Sequence, residues 1–298
     1  MEKYQIIDKL KSTYPVTKIC RVLNIIPQSY YKWVRQNKPI MNNFNEVIAS
    51  IISAEHKTLN KTYGTIRLKH HIEKKYGLCL NHKKIRRYKN ALSLEVIVRK
   101  RKPLYLNKSK EKLIKNKAPN RLNSNFTSFA PYEKLSSDVS YIKCTDGTLY
   151  LSAIKDLFNN EIVSYPTSSK NNVELIFASY RNIPQGETTN SVIHTDQGAL
   201  YFAYEYLDMI SQLGYQRSMS QKGCCWQNSP IENWFSQLKE EWLRPRQPFT
   251  KKEAQHEIKK YVQWYNTERI QKDLRYLSPA QYKLKIKQLF IYCLLDRY

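Results

Sequence analysis

The chain is 298 residues long, 41% hydrophobic and 12% aromatic, which suits a folded protein able to bury two cores and argues against a disordered one. No apolar run approaches the roughly 20 residues of a membrane-spanning helix. Lysine and arginine number 50 against 25 acidic residues, and the excess is lopsided: residues 1–120 hold 28 basic and 7 acidic side chains (net +21), residues 121–298 hold 22 and 18 (net +4).

A basic half joined to a near-neutral one points to polyanion binding fused to another activity. Nucleic acid fits better than acidic lipid, because no basic amphipathic helix with a large apolar face stands out. The N-terminus, "MEKYQIIDKLKSTYP", lacks an apolar stretch ahead of a small-residue cleavage site, so the expected compartment is cytoplasmic, with no membrane partner. The cysteines at 20, 79, 144, 224, 225 and 293 show no metal-ligand spacing and are expected as reduced thiols.

Three short helices are predicted over residues 1–40. Ile6, Ile7 and Leu10 share a face of the first, and Ile19, Val22 and Leu23 a stripe of the second; a third starts at Pro27 and buries Tyr30, Trp33 and Val34. The tight connection at Asn24–Ile26 fits a helix-turn-helix, with Gln28, Ser29, Tyr31 and Lys32 expected at DNA. A plain helical bundle is the alternative, since the turn has no glycine. A second helical block, 41–97, breaks at Tyr63–Gly64 and again at Tyr76–Asn81. Its last helix, "NHKKIRRYKNA", has Asn81 as its cap and carries Lys83, Lys84, Arg86, Arg87 and Lys89 with no acidic residue, which favours phosphate contact over a merely solvated face. His70 and His71 are expected on a solvated basic helix. Residues 98–130 are basic and proline-punctuated, as in an extended linker.

From Pro131 the period changes. "EKLSSDVSYIKC", "TLYLSAIKD" and "EIVSYPTS" form an antiparallel meander with turns at Asp146–Gly147 and Asn159–Asn160. A helix, the strand "SVIHTD", a helix, the strand "GYQRSMS" and the helix of "NSPIENWFSQLKEE" follow, and a last amphipathic helix spans 251–266. The pattern predicts an α+β domain with a mixed sheet and helices on both faces. Ser229, Pro230 and Glu232 spell a helix start, and Glu232 is either a capping-box partner or a metal ligand.

Asp138 lies inside the first strand, and Asp196 ends the fourth, where open sheets place ligands. If those strands are neighbours and the Glu232 helix packs across them, three carboxylates converge. Such a cluster is sensible only around a cation, and oxygen-only donors select two Mg²⁺ or Mn²⁺ ions of the kind used for in-line phosphate displacement. Glu232, Ser236 and Lys239 share a helical stripe, which places Lys239 toward a phosphate.

"SSDVSYI", "LYLSAIKDLFNNEIVSY", "HTDQG" and "SMSQKGCCWQNSPIENWFSQLKEE" together resemble the core of DDE transposases and retroviral integrases, specifically the second-frame catalytic chain of a group of bacterial insertion sequences. "EHKTLNKTYGTIRL…GLCLNHKKIRR" resembles that group's N-terminal DNA-binding region, and "YNTERIQKDLRYLSPAQY" its C-terminal signature. The resemblance implies a ribonuclease-H-like five-stranded mixed sheet over 131–270, preceded by the helical modules and followed by a C-terminal tail, 271–298. It implies Asp138, Asp196 and Glu232 as the catalytic, metal-binding triad, and Asn228 and Lys239 as neighbours tied to the site and to DNA; His194, beside Asp196 in the sequence, is a candidate support for the ligands. It further implies a nucleoid-associated enzyme that nicks insertion-sequence terminal repeats and joins the exposed 3′-hydroxyl to target DNA, through a circular intermediate. Its partners would be double-stranded DNA, further copies of itself and an upstream-frame protein. A nuclease of RNA–DNA hybrids and an inactive DNA-binding relic or regulator are the alternatives. The chain departs from the group at Gln227-Asn228-Ser229, where Asp-Asn-Ala is frequent, at Gln271, where His is common, and in "YGTIRL", which lacks a usual arginine.

Overall fold

The computed structural model describes residues 2–37, 45–97, 117–181, 183 and 191–295. The first three helices are α1 (Glu2–Leu10), α2 (Val16–Val22) and α3 (Pro27–Asn37), packed around Ile7, Ile19, Cys20 and Tyr30. The turn after α2 closes without glycine because Asn24 takes the left-handed conformation (φ 54). Asn tolerates that region, and it lets the Ile25 N–H reach back to the Cys20 carbonyl at 2.9 Å.

Helices α4 (Glu46–Thr58), α5 (Thr65–Tyr76) and α6 (His82–Ala91) form a second unit around Ile52, Leu68, Ile72, Ile85 and Tyr88. The Asn81 side chain caps α6 as its sequence position predicts, and the Asn45 side chain caps α4 in the same way. His70 and His71 depart from the expected solvated face. His71 Nε2 lies 2.7 Å from the carboxylate of Glu55, which is buried and also accepts from Lys75 (2.7 Å) and Tyr76 (2.6 Å). A buried carboxylate needs such donors, and they recruit the histidine inward. The His70 ring instead stacks on Tyr276, with centroids 3.9 Å apart.

Of the expected linker, 98–116 lies outside the described residues. From Lys117 onward the segment is not extended and free. Ala118 and Leu122 are buried, the Arg121 N–H donates to Ser218 Oγ (2.9 Å), and the Pro119 carbonyl accepts from the Met219 N–H (3.3 Å). The segment covers an edge strand, whose backbone groups would otherwise lack partners.

That strand belongs to a mixed sheet. β1 (Lys134–Cys144) pairs antiparallel with β2 (Gly147–Asp156), which pairs antiparallel with β3 (Ile162–Ser164) and with the two-residue β4 (Thr167–Ser168). After α7 (Val173–Arg181), β5 (Val192–Thr195) lies parallel to β1. After α8 (Tyr204–Gln212), β6 (Gln216–Met219) lies parallel to β5, giving the order β3-β2-β1-β5-β6. This is the ribonuclease-H-like architecture expected from the sequence, with β4 as a short sixth strand beyond the five.

α9 (Ser229–Gln237) and α10 (Lys251–Thr267) cover one face, where Trp234, Phe235 and Tyr261 meet Ile142, Leu149 and Leu151. α7 and α8 cover the other, against Leu135, Ile154 and Ile193. Between α9 and α10 the chain makes a π-helical turn over Leu238–Leu243. α11 (Pro279–Leu295) closes the described chain. Ile270 and, at the start of the tail from residue 271, Tyr276 pack with the α4–α6 core.

Candidate active site

Side chains alternate across β1, so Ser136, Asp138 and Ser140 face α9 while Leu135 and Val139 face α7 and α8. β5 pairs with β1 only at its start, Ser136 opposite His194. Two residues further on lie Asp138, still paired with β2, and Asp196, just past the end of β5, near enough that the Asp196 charge raises the Asp138 pKa. The chain then turns sharply, with Asp196 Oδ1 accepting the Gly198 N–H at 2.8 Å. Glycine suits the turn, because a Cβ at 198 would meet Asp196 Oδ1 at 3.0 Å.

Glu232 does not form the capping box that its spacing allows. Ser229 is already helical, the cap position falls to Asn228, and no side chain caps the helix. The capping box of this domain forms instead at Thr250 and Glu253, at the start of α10. Glu232 lines a cleft of about 500 Å³ with Asp138, Ser140, Tyr141, Lys143, Lys239 and Arg244.

The three carboxylates interact through their charges. Burial, then Asp196, and more weakly Glu232, push Asp138 up to about 8, against the Val139 N–H and Lys239. Burial also raises Asp196, partly offset by the Gly198 N–H. Oxygen-only donors that repel one another fit a hard divalent cation. Among the described residues no three acidic, histidine or cysteine side chains yet stand close enough to enclose an ion, so ligation by all three takes a further approach of the side chains.

α9 is fixed against β1 by a polar ladder. Asn228 Oδ1 accepts from Ser136 Oγ (2.7 Å) and Nδ2 donates to the Ser137 carbonyl (3.4 Å). Asn228 is fully buried, which corrects its expected place at DNA: it braces strand to helix. Lys239 Nζ donates to Ser140 Oγ (2.7 Å) and lies 5.0 Å from the centre of the Tyr141 ring, at the rim of the cleft. His194 is buried behind Asp196, its Nδ1 2.8 Å from Ser218 Oγ, and burial pushes its pKa down to about 4, so it is neutral at physiological pH. The sequence places Ser136 and Ser140 on the same side of the alternation as Asp138 without assigning them a role, and the cleft residues Tyr141, Lys143 and Arg244 were not singled out. The alternating small polar residues around Asp138 are the signal that could have found the serines.

Of the cations, Lys83, Arg86 and Arg87 are exposed and Lys84 half-buried; Lys83, Lys84 and Arg87 line a second cleft of about 500 Å³ beside Asn81 and Tyr88. Lys89 differs from them. It is buried, with Nζ 3.4 Å from the Tyr63 carbonyl, because its place on α6 faces the core. On α3, Gln28, Tyr31 and Lys32 are exposed and Ser29 half-buried.

The integrase core domain family matches residues 129–225, and a second integrase core family matches 232–286. The chain is 36% identical to an uncharacterized transposase-like protein of Haemophilus influenzae, over 68% of this chain and 93% of that one. It is 31% identical to the insertion element IS600 uncharacterized 31 kDa protein of Shigella sonnei (91% and 99%). It is 29% identical to the transposase for insertion sequence element IS904 of Lactococcus lactis (80% and 94%). Among solved structures it is similar to the HTLV-2 integrase catalytic core domain in complex with magnesium, at 19% identity and a TM-score of 0.38, over 47% of this chain and 90% of that one. The family matches and the transposase relatives show that the chain belongs to the DDE transposase/integrase superfamily, among the transposases of insertion sequences.

Proposed function

We propose that the protein cleaves and joins DNA at the ends of an insertion sequence, with Asp138, Asp196 and Glu232 holding two Mg²⁺ or Mn²⁺ ions. The observation that carries this reading is that Asp138, two residues past the last β1–β5 pair, feels the charges of both Asp196 and Glu232 and lines one cleft with Glu232 and Lys239. When bound, the ions lower the pKa of the attacking hydroxyl and stabilise the charge on the leaving oxygen.

This chain's own residues supply position. Lys239, held by Ser140, and the neighbouring Lys143 and Arg244 draw a phosphodiester to the rim beside Asp138. In the first step water forms a bond to phosphorus as the bond to the 3′-oxygen breaks, and that oxygen leaves as a 3′-hydroxyl. In the second, this hydroxyl forms the new bond to a target phosphate while the target's own 3′-oxygen departs. Both steps exchange one ester bond for another group without a covalent protein intermediate.

α3 and α6 grip the duplex, through Gln28, Ser29, Tyr31 and Lys32 on the first and Lys83, Lys84, Arg86 and Arg87 on the second. Joining two ends calls for more than one copy on the DNA. The protein would then work at the nucleoid, alone or with an upstream-frame partner.

The test compares wild type and Glu232→Gln on a labelled duplex carrying the element's own terminal repeat, in Mg²⁺. Nicking and joining by wild type, lost in Glu232→Gln while folding and DNA binding persist, supports the reading. Retained activity with a small loss of thermal stability would make Glu232 a structural residue. Binding without cleavage by wild type would make the protein a DNA-binding regulator, and cleavage of RNA–DNA hybrids alone a ribonuclease.

A further inference from the structure

The segment from Trp264 to Gln281 makes contacts in two directions. Toward the sheet, the Asn266 side chain bonds both backbone groups of Ile162 at 3.0 Å, and the Pro279 carbonyl accepts from Asn159 Nδ2 at 3.3 Å. Toward the α4–α6 unit, the Ile270 N–H donates to Tyr63 Oη (3.0 Å), the Tyr276 ring stacks on His70, and Gln281 Oε1 accepts from Lys74 (2.8 Å). Arg246, just past the π-helical turn, adds a bond to Asn60 Oδ1 at 2.8 Å.

Trp264 and Tyr265 pack their rings on Trp242 and Trp234 of the active-site helix and its continuation, and Arg269 adds the polar contact. Arg269 is 2% exposed, and its Nη2 lies 3.1 Å from both carboxylate oxygens of Glu241. Glu241 sits in the π-helical turn at Leu238–Leu243, which also carries Lys239 into the catalytic cleft. Two positions apart in such a turn, Lys239 and Glu241 leave the backbone on different sides, one toward the substrate cleft and the other toward the latch. Single π turns recur where a helix must re-aim a side chain. Arg67 of α5 shares the same electrostatic neighbourhood: burial and Arg269 work against its charge, and Glu241 supports it.

We propose that the segment 264–281 is a latch that fixes the distance between the basic face of α6 and the three carboxylates, with Arg269 as its positioning residue, so that the protein measures which phosphate is cut. This rests on the DNA-cleaving function proposed above. A module on a loose tether could bind the end equally tightly yet present several phosphates to the cleft. A latched one presents a single phosphate.

The experiment maps the nick at single-nucleotide resolution on a labelled end duplex in Mg²⁺, using the full chain. Wild type is compared with Tyr63→Phe, Arg269→Lys and, in case Arg269→Lys fails to fold, the double variant Asn60→Gly/His70→Ala. In that variant glycine keeps the left-handed backbone of residue 60 (φ 51), and the helical position 70 is only partly buried. The expected result is duplex binding within about twofold of wild type, with cuts spread over neighbouring phosphates and at least a tenfold drop in the share at the wild-type position. Folded, binding-competent variants that cut at the one wild-type position overturn the latch, whether their rate is unchanged or merely reduced. If wild type makes no nick, the function proposed above fails and hydrogen exchange decides the latch. Faster exchange across 238–243 in Tyr63→Phe supports it, and unchanged exchange there overturns it.

Discussion

On α6, Lys83, Arg86 and Arg87 stand in solvent, while between β1 and α9 two aspartates and a glutamate are drawn partly into the protein, where they repel one another. Exposed cations cost the fold little, and each adds a modest, salt-screened increment of phosphate affinity. Inward carboxylates cost stability in the free protein and return it only when a cation or substrate arrives. The basic face should therefore tolerate loss one charge at a time, whereas the acidic cleft should fail as a unit.

The largest effect expected is at Asp138. Asp138→Asn keeps the shape and removes a ligand, so cleavage should fall on the order of 10³-fold or more, with DNA affinity within twofold of wild type. The free protein should become more stable near neutral pH, because burial, Asp196 and Glu232 force Asp138 to take up a proton on folding and asparagine needs none. Strand-cleavage rates and thermal melts in the absence of divalent ions check both halves. A variant that melts lower than wild type while still cutting would place Asp138 outside the site.

A second effect separates the two regions by pH. The folded-state pKa of Asp138 is raised to about 8 from an ordinary value of 3.8, so the native state holds a proton that the unfolded chain releases. Its contribution to stability is present at low pH and is lost as pH rises from the ordinary carboxylate range through about 8. The ion-free protein should melt lower at pH 8.5 than at pH 6. Added Ca²⁺ should raise the melting temperature more at pH 8.5 than at pH 6, since ligation requires the ionised carboxylate. Equal Ca²⁺ shifts at the two pH values would argue that no ion binds at Asp138.

The basic face should respond more gently. Lys83→Ala, Lys84→Ala and Arg87→Ala should each weaken duplex binding several-fold at about 100 mM salt and reduce the slope of log affinity against log salt by about 0.9. Lys89→Met should leave that slope unchanged, because the Lys89 ammonium is turned to the Tyr63 carbonyl inside the module. A slope that falls equally in all four variants would mean that α6 senses net charge and makes no defined contacts.

What could be read from sequence divides along similar physical lines. The strand alternation around Asp138, the helix start at Ser229–Pro230 and the cap at Asn81 are local signals, and the elements formed where those signals lie. The nearness of Asp138 to Asp196 required only that β1 and β5 be parallel neighbours. The burial of Asn228, the inward turn of His71 and the covering of β6 by residues 118–122 carry no such signal, because each depends on partners that meet only in three dimensions. Tyr63 and the Ile270 N–H it accepts are 207 positions apart. The π turn at Leu238–Leu243 is equally silent, since one extra residue in a helical turn leaves the apolar pattern almost unchanged.

The gentlest test sits where the two regions' expectations cross, at Asn228, which the sequence assigned to DNA and the fold buries. Removing its amide in Asn228→Ala leaves the Ser136 hydroxyl and the Ser137 carbonyl without that partner, at a cost of about 1–3 kcal/mol. For a chain of this size that corresponds to roughly 2–4 °C of melting temperature per kcal/mol. Cleavage should slow several-fold, because β1 and α9 lose the bond that sets Asp138 and Glu232 opposite each other. Duplex affinity and its salt slope should not move, because a fully buried amide meets no phosphate. Weakened binding with an unchanged melting temperature would return Asn228 to the DNA and remove the brace. Lower melting with an intact salt slope would show that this asparagine serves the acidic cleft from behind, by holding its two walls in register.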